Sequence, residues 1–321
     1  MGKITLLMML TFCFALFSEE NKIGSKEGLN SFIKNELKKG INSREEKLEW
    51  NSSRQEWLNQ LKEKCFFAWP KKVSSTKPRE IFSTTKSGIK LRAIEFTGLV
   101  NKTTLLIAHH PELEDPDLVV LNPLDAGGWE EFKESIGFEF SKFLREENIP
   151  KPNHKSFSQH QKMFKSFKWV MAYIKPNKQI QETSSRENLQ LQNLGHSPES
   201  IQVWNTRLAI QTLRETGKMK HVPLWLQAQG RMAGVSLYAS LFEPDITRLD
   251  LYNLPKSHIN GPFFPNISRV IGMPQAVALA LENSKIVIYQ KDSDGWTYPK
   301  EIASKLKWEH QLQIRKIPPS Q

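Results

Sequence analysis

Short apolar runs alternate with helix-like segments along the chain from Ile81 onward. The runs are rich in β-branched and aromatic residues, which indicates strands, and the segments between them have apolar residues at helical spacing. An opening antiparallel pair followed by strand–helix alternation indicates an α/β fold with a mostly parallel sheet flanked by helices. The predicted strands are residues 89–96, 103–108, 118–121, 169–174, 224–228, 248–254, 285–290 and 311–317. The predicted helices are residues 129–146, 198–215, 233–242, 274–281 and 299–307.

The segment before this pattern is polar and helix-like. Pro70, the cluster Ser74-Ser75-Thr76 and Pro78 end it. The composition predicts a helical extension and linker over residues 19–80, followed by one α/β domain over residues 81–321.

The first residues are typical of an export signal. Lys3 precedes an apolar run over residues 4–17, and Glu19-Glu20 follow. The run is shorter than the roughly 20 residues that a membrane span needs, so residues 1–18 are predicted to be a signal peptide. No Ala-x-Ala cleavage site is present, and an uncleaved N-terminal anchor is the alternative. Either way, we expect an extracytoplasmic protein, periplasmic or secreted, with no other contact with a membrane.

Composition excludes several classes of protein. Of 321 residues, 39% are hydrophobic and 25% charged, which excludes wholesale disorder. Two cysteines cannot form a disulfide framework, and no CxxC pair is present. The formal charge of +11 favours anionic neighbours without identifying one.

Residues 142–178 are unusually basic, with nine Lys or Arg against two Glu. Phe157, Phe164, Phe167 and Trp169 are interleaved, and such a mixture can track and stack on a nucleic acid. A solvated loop or lid between two strands is the interpretation that we favour, and no nucleic-acid partner is expected.

The most informative segment is a strand that runs through a turn of small residues into a helix. Ala228, Gly230 and Gly234 supply the small residues. Hydrolases of the α/β type build their nucleophile elbow in this way, with G-x-S-x-G on a strained turn. Aligning the first small residue puts Gly230 at the serine position, and aligning the last glycine puts Arg231 there. Since neither can attack a carbonyl, we predict that the Ser-His-Asp mechanism is absent.

Two serines near this turn are weaker candidates. Ser236 lies one turn into the predicted helix, where its hydroxyl would face the helix surface. Ser197 follows Gly195-His196 but precedes Pro198, a pattern that predicts a helix N-cap with proline at the first helical position.

Acid and histidine candidates are also weak. Asp292 and Asp294 follow a strand where such a fold places the acid, although Asp294-Gly295 is also a common turn pair. His310 enters the last strand, and only Pro-Pro-Ser-Gln follows Ile317, so the expected terminal histidine has no counterpart. His258 follows strand 248–254 and could face the mouth of the sheet, but a loop-fixing hydrogen bond is the favoured interpretation.

No cofactor or metal is expected. His109-His110 lacks a second cluster at recognisable ligand spacing, and neither a P-loop nor G-x-G-x-x-G is present. Gly127-Gly128 follows strand 118–121, either as an oxyanion loop or as a tight turn.

Several pieces of the chain carry a family resemblance: residues 90–132, 203–205, 209–210, 227–234, 241–245, 257–258, 261–262 and 273–276. They resemble α/β-hydrolase proteins of the acetyl xylan esterase-like or prolyl-oligopeptidase-like group found in planctomycete-type bacteria. The resemblance covers most of residues 81–317 and implies the fold, an exported setting and hydrolase ancestry. Because active members of this group carry serine in the turn, the resemblance also implies that the nucleophile elbow here is degenerate.

Three functions stay open at this point. The protein could be an esterase or peptidase with an unrecognised nucleophile, a non-catalytic scaffold that binds a carbohydrate or another secreted protein, or a structural partner of a larger secreted enzyme. Nine tryptophans could offer stacking surfaces, and aligned exposed indoles would favour the second class. Any remnant site should lie around Gly230, Arg231, His258 and Asp292, at the C-terminal edge of the sheet.

Overall fold

A computed structural model describes residues 28–33, 35, 50–72, 78–146, 148–292 and 294–317. Within these residues one sheet is flanked by helices. Its strands are β1 (Arg79–Lys86), β2 (Ile89–Thr97), β3 (Lys102–His109), β4 (Leu118–Pro123), β5 (Trp169–Ile174), β6 (Leu224–Gln229), β7 (Ile246–Tyr252), β8 (Lys285–Tyr289) and β9 (Leu312–Arg315). Its helices are α1 (Trp50–Gln60), α2 (Ala126–Ser135), α3 (Ser141–Leu144), α4 (His154–Ser166), α5 (Lys178–Gln181), α6 (Ser185–Asn193), α7 (Pro198–Glu215), α8 (Gly230–Ser240), α9 (Met273–Ala280) and α10 (Thr297–Leu306).

The strand order positions the site. The order across the sheet is β1-β2-β3-β5-β4-β6-β7-β8-β9. The first three strands pair antiparallel, β3 also pairs antiparallel with β5, and the remaining pairs are parallel. Chain direction across the sheet reverses around β4, because the chain moves to β5 on one side and then to β6 on the other. The loops that follow β4 and β6 therefore diverge. Open α/β sheets bind ligands at the carboxyl ends of their strands, at the point where the strand order reverses in this way.

The two faces of the sheet are covered unequally. The larger core holds the alternate residues Leu224, Leu226 and Ala228 of β6 and packs against α1, α7, α8, α9 and α10. A smaller core covers the other face at β2, β3 and β5, where α2 and α4 pack on the sheet. On the same face at β6 and β7, Trp225, Gln227, Arg248 and Tyr252 stay partly exposed.

All eight predicted strands are present, and their ends shift by at most a few residues. The prediction missed β1, which pairs with β2 at the edge of the sheet. Its side chains alternate between exposed and half-buried, so the strand lacks the apolar run that marks the inner strands.

Two predictions about residues 129–178 were wrong. The helix expected over residues 129–146 begins at Ala126 and ends at Ser135, and a 3-10 turn and α3 follow it. The basic stretch is not a loop, because it contains α4, whose N-cap Asn153 accepts a hydrogen bond from the Ser156 backbone N–H at 3.0 Å. Phe157 and Phe164, seven residues apart on α4, are buried in the smaller core. The lysines around these two residues obscure that apolar spacing in the sequence.

Part of the N-terminal region packs into the larger core. Trp50 and Trp57 of α1 are buried, with ring centroids 6.3 Å apart at 80°. A π-helical turn, Leu61–Cys65, continues α1, and burial raises the pKa of the Cys65 thiol to about 12. The division of the chain at residue 80 stays a prediction, and the predicted signal segment, residues 1–18, lies outside the described residues.

Trp57→Ala should lower the free energy of unfolding by about 3–5 kcal/mol, because it leaves a cavity among Trp50, Tyr298 and the core. Urea unfolding followed by circular dichroism measures the change. Gln55→Ala, on the exposed side of the same helix, is the matched control and should change stability by less than about 0.5 kcal/mol. If Trp57→Ala matched that control, α1 would not be part of the packed core.

Candidate functional site

The turn between β6 and α8 has the shape of a nucleophile elbow. Gln229 is extended, with φ −124° and ψ 148°, and Gly230, the first residue of α8, has φ +56°. The left-handed backbone of Gly230 takes the chain from strand to helix within one residue, and glycine enters this region without the penalty of a side chain. Of the two alignments, the one with Gly230 at the serine position therefore matches a strained turn.

Of the two glycines in this segment, close packing requires one. A Cβ at Gly234 would lie 2.6 Å from Pro262 Cδ, whereas a Cβ at Gly230 would have no other atom within 4 Å. Gly234 is therefore needed where α8 meets the following loop. Gly230, in contrast, is needed for its left-handed backbone conformation, and the space beside its Cα is open.

Arg231 points outward from the turn. Its side chain is 62% exposed, and its Nη1 lies 3.1 Å from Glu199 Oε1 in the first turn of α7. Burial raises the pKa of Glu199, and the nearby guanidinium opposes that effect. Arg231 can pair with an anion but cannot act as a nucleophile.

Two clefts flank the turn at the C-terminal edge of the sheet, and both are lined by Asp125 and Met232. The first cleft, of about 490 Å³, lies between α2, α4 and the ends of β4, β6 and β7. The second cleft, of about 560 Å³, lies between the start of α2 and the segment α5–α7. The first is lined by residues that include Asn122, Asp125, Glu131, Glu134, His160, Tyr173, Gln227, Gln229, Met232 and Tyr252. The second is lined by residues that include Asp125, Gly127, Ile180, Asn188, Glu199, Gln202, Arg231, Met232 and Phe263.

Ser236 lies inside the protein. The residue is 0% exposed, and its Oγ has no hydrogen-bond partner among the described residues. The expectation that its hydroxyl faces the helix surface was therefore wrong. The helix begins three residues earlier than predicted, at Gly230, and this part of α8 is surrounded by packed residues.

His258 fixes a loop. Its Nδ1 lies 3.0 Å from the Pro262 carbonyl oxygen and its Nε2 lies 3.0 Å from the Tyr238 hydroxyl. The carbonyl can only accept, so Nδ1 carries the hydrogen and Nε2 accepts from Tyr238. Burial lowers the pKa of His258 to about 4, which keeps the ring neutral near pH 7. The favoured interpretation, a loop-fixing hydrogen bond, is confirmed.

Asp292 is an exposed turn residue. Its carboxylate pairs with Lys256 and accepts a hydrogen bond from the Asp294 backbone N–H at 3.1 Å. The Lys256 hydrogen bond lowers the pKa of Asp292. Asp292 lines neither of the two clefts, so its described contacts are those of a turn.

The remaining candidates have structural roles. Ser197 caps α7, as predicted, and its hydroxyl donates to the Phe263 carbonyl oxygen at 2.6 Å. Gly127 and Gly128 form neither of the predicted structures, because they lie in the first turn of α2. There Asp125 Oδ1 accepts from the Gly128 N–H at 2.8 Å. Among the described residues, no group of three or more His, Cys, Asp or Glu could hold a metal ion.

Sequence reasoning missed the polar residues of the first cleft. Asn122 at the end of β4 had a usable signal, because a polar residue at the carboxyl end of a buried strand faces the binding edge of such a sheet. His160, Glu131 and Glu134 had none, since the strand order alone brings α2 and α4 beside β6.

The chain is similar to solved structures of carbohydrate esterases. A candidate acetyl xylan esterase from Bacteroides fragilis aligns with a TM-score of 0.65 at 12% identity, over 82% of this chain and 74% of that one. A glucuronoyl esterase from Solibacter usitatus aligns with a TM-score of 0.58 at 11% identity, over 82% of this chain and 87% of the other. The chain has the α/β-hydrolase fold. No protein-family model matches its sequence, and no curated protein does.

The turn at Gly230 connects a parallel strand to a helix, which is the strand–turn–helix arrangement of the nucleophile elbow. A third solved structure, a glucuronoyl esterase from Teredinibacter turnerae, aligns with a TM-score of 0.50 at 12% identity, over 83% of this chain and 80% of that one. At these identities the similarity establishes the fold alone. No helix among the described residues is long and apolar enough to cross a membrane.

Protonation of His258 should destabilise the fold below neutral pH. Because its pKa falls from 6.5 to about 4 on folding, the unfolded chain binds more protons between those pH values. The free energy of unfolding therefore decreases as pH drops through this window. Between pH 7 and pH 5, the loss in the wild type should exceed the loss in His258→Gln by about 1–2 kcal/mol.

Urea unfolding at the two pH values measures this difference. His109, His160 and His196 also have lowered pKa values, so only the comparison with the variant isolates His258. His310→Gln, which changes an exposed histidine, should keep the wild-type pH dependence. Equal losses in the wild type and His258→Gln would show that His258 is not held neutral.

Proposed function

We propose that this chain is an exported α/β-hydrolase-fold protein that binds a carbohydrate and does not use the serine acyl-transfer mechanism. Gly230 is the observation that carries the proposal. It has the left-handed backbone of an elbow residue but no side-chain atom that could bond to an acyl carbon. A protein that has this turn but no nucleophile can still bind a carbohydrate without cleaving it.

The surrounding residues support the absence of acyl transfer. Ser236 is buried away from both clefts. His258, the histidine considered for the triad, uses both ring nitrogens in holding its loop. Arg231 stays protonated, so its role is limited to pairing with negative groups.

A partly exposed aromatic row supports carbohydrate binding. Phe167 stacks on Trp169 with centroids 4.8 Å apart, and Trp169 lies 6.2 Å from Trp225. The Arg248 guanidinium lies 4.4 Å above the Trp225 ring. Phe167 follows α4, and Trp169 and Trp225 lie near the amino ends of β5 and β6, where both indoles stay partly exposed. They present flat apolar surfaces on which sugar rings can stack.

Two further observations favour this proposal. The fold is shared with proteins described as acetyl xylan and glucuronoyl esterases, whose substrates are carbohydrates. Lys3 and the apolar residues 4–17, outside the described residues, have the composition of an export signal. Export would bring the protein to the compartment where polysaccharides occur.

The purified protein should resist labelling by a fluorophosphonate probe and should not release p-nitrophenol from its acetate ester above the rate of buffer. On this proposal, neither reagent meets an activated serine. A serine esterase of the same fold, assayed in parallel, shows that the reagents are active. Labelling of a serine together with turnover would contradict the proposal, and peptide mapping would identify the residue.

Trp225→Ala should weaken retention of the protein in native gels that contain a soluble polysaccharide. Loss of one stacking surface should raise the apparent Kd by about 3- to 10-fold. Phe143→Ala removes another exposed ring, which packs beside Phe82, and should migrate like the wild type. Equal retention of Trp225→Ala and the wild type would exclude the aromatic row as the binding surface.

A further inference from the structure

The first cleft is lined by a side-chain oxygen that accepts no hydrogen bond from a described residue. Asn122 is 6% exposed, and its Nδ2 donates to the carbonyl oxygens of Val120 at 3.3 Å and Ala172 at 3.1 Å. Because carbonyls only accept, the amide orientation is determined and Oδ1 must be on the other side. There it faces the cleft that Asn122 lines.

His160 adds a second acceptor. Its Nδ1 lies 2.9 Å from the Ser156 carbonyl oxygen, so Nδ1 carries the hydrogen and donates it. Burial lowers the pKa of His160 and keeps the ring neutral. Its Nε2 therefore has a free lone pair and no hydrogen-bond partner among the described residues. Both acceptors line the same cleft.

The charges around this cleft have one sign. Asp125, Glu131 and Glu134 line it, and no lysine or arginine does so among the described residues. The carboxylates of Glu131 and Glu134 form no ion pair or hydrogen bond with a described residue. The second cleft differs, because Arg231 lines it. In a protein of net charge +11, the charged side chains that line the first cleft are thus all acidic among the described residues.

We propose that the first cleft binds an ammonium-bearing saccharide, such as a glucosamine oligosaccharide. Hydroxyl and ammonium groups would donate to Asn122 Oδ1, His160 Nε2 and the carboxylates of Glu131 and Glu134. A uronate would place its carboxylate against those same groups and be repelled. This inference rests on the proposed carbohydrate-binding function and specifies the charge of the ligand.

Calorimetric titration of the full chain with three tetrasaccharides tests the inference: glucosamine, N-acetylglucosamine and galacturonate. The glucosamine tetramer should bind about 3- to 30-fold more tightly than the neutral one, as expected for two partly exposed ion pairs. The galacturonate tetramer should bind most weakly. The variant Glu131→Gln/Glu134→Gln should lose the preference for glucosamine but still bind the neutral tetramer.

The control variant Glu301→Gln/Glu309→Gln changes the net charge equally at exposed positions on and beside α10. It should keep the preference for glucosamine. Equal affinity for all three tetramers, or a preference lost equally in both double variants, would overturn the inference while leaving carbohydrate binding in place. Failure of every saccharide to bind would overturn the proposed function as well.

Discussion

The close contact between α8 and the loop that follows β7 constrains the rest of the site. Gly234 meets Pro262 so closely that a Cβ would lie 2.6 Å from a proline carbon. His258 fixes the same loop through Tyr238 of α8. With α8 held in this position, the chain must leave β6 by an abrupt turn. Gly230 makes that turn in the left-handed region, where a residue with a side chain would cost about 1–2 kcal/mol.

On the proposed function, this constraint explains how the fold can persist without acyl transfer at the turn. In an active α/β-hydrolase the residue at the turn carries the nucleophile despite backbone strain. Glycine at the same position relieves the strain and leaves the packing of α8 unchanged, because the space around Gly230 is open. The clefts on either side depend on β4, β6 and α8, and they do not depend on a reactive side chain at Gly230.

Much of the fold could be predicted from the sequence, because buried parallel strands carry continuous apolar runs. The runs around Val119 and Val170 are examples. The edge strand β1 and helix α4 were missed, since exposed positions hide the pattern in one and lysines dominate the other. Within the site, the turn at Gly230 and the loop-fixing bond of His258 were readable from local sequence. The placement of Asn122 and His160 in one cleft was not, because 37 residues and the strand crossover separate them along the chain.

The central claim is that the turn has the shape of a nucleophile elbow without acyl transfer and that the protein binds a carbohydrate. Proton NMR of an acetylated xylo-oligosaccharide at millimolar concentration, mixed with the purified protein, tests both parts in one sample. We expect saturation transfer from the protein to the sugar protons, with the acetyl signals intact over a day. Free acetate that grows in proportion to the protein concentration would contradict the account, and so would the absence of any saturation transfer.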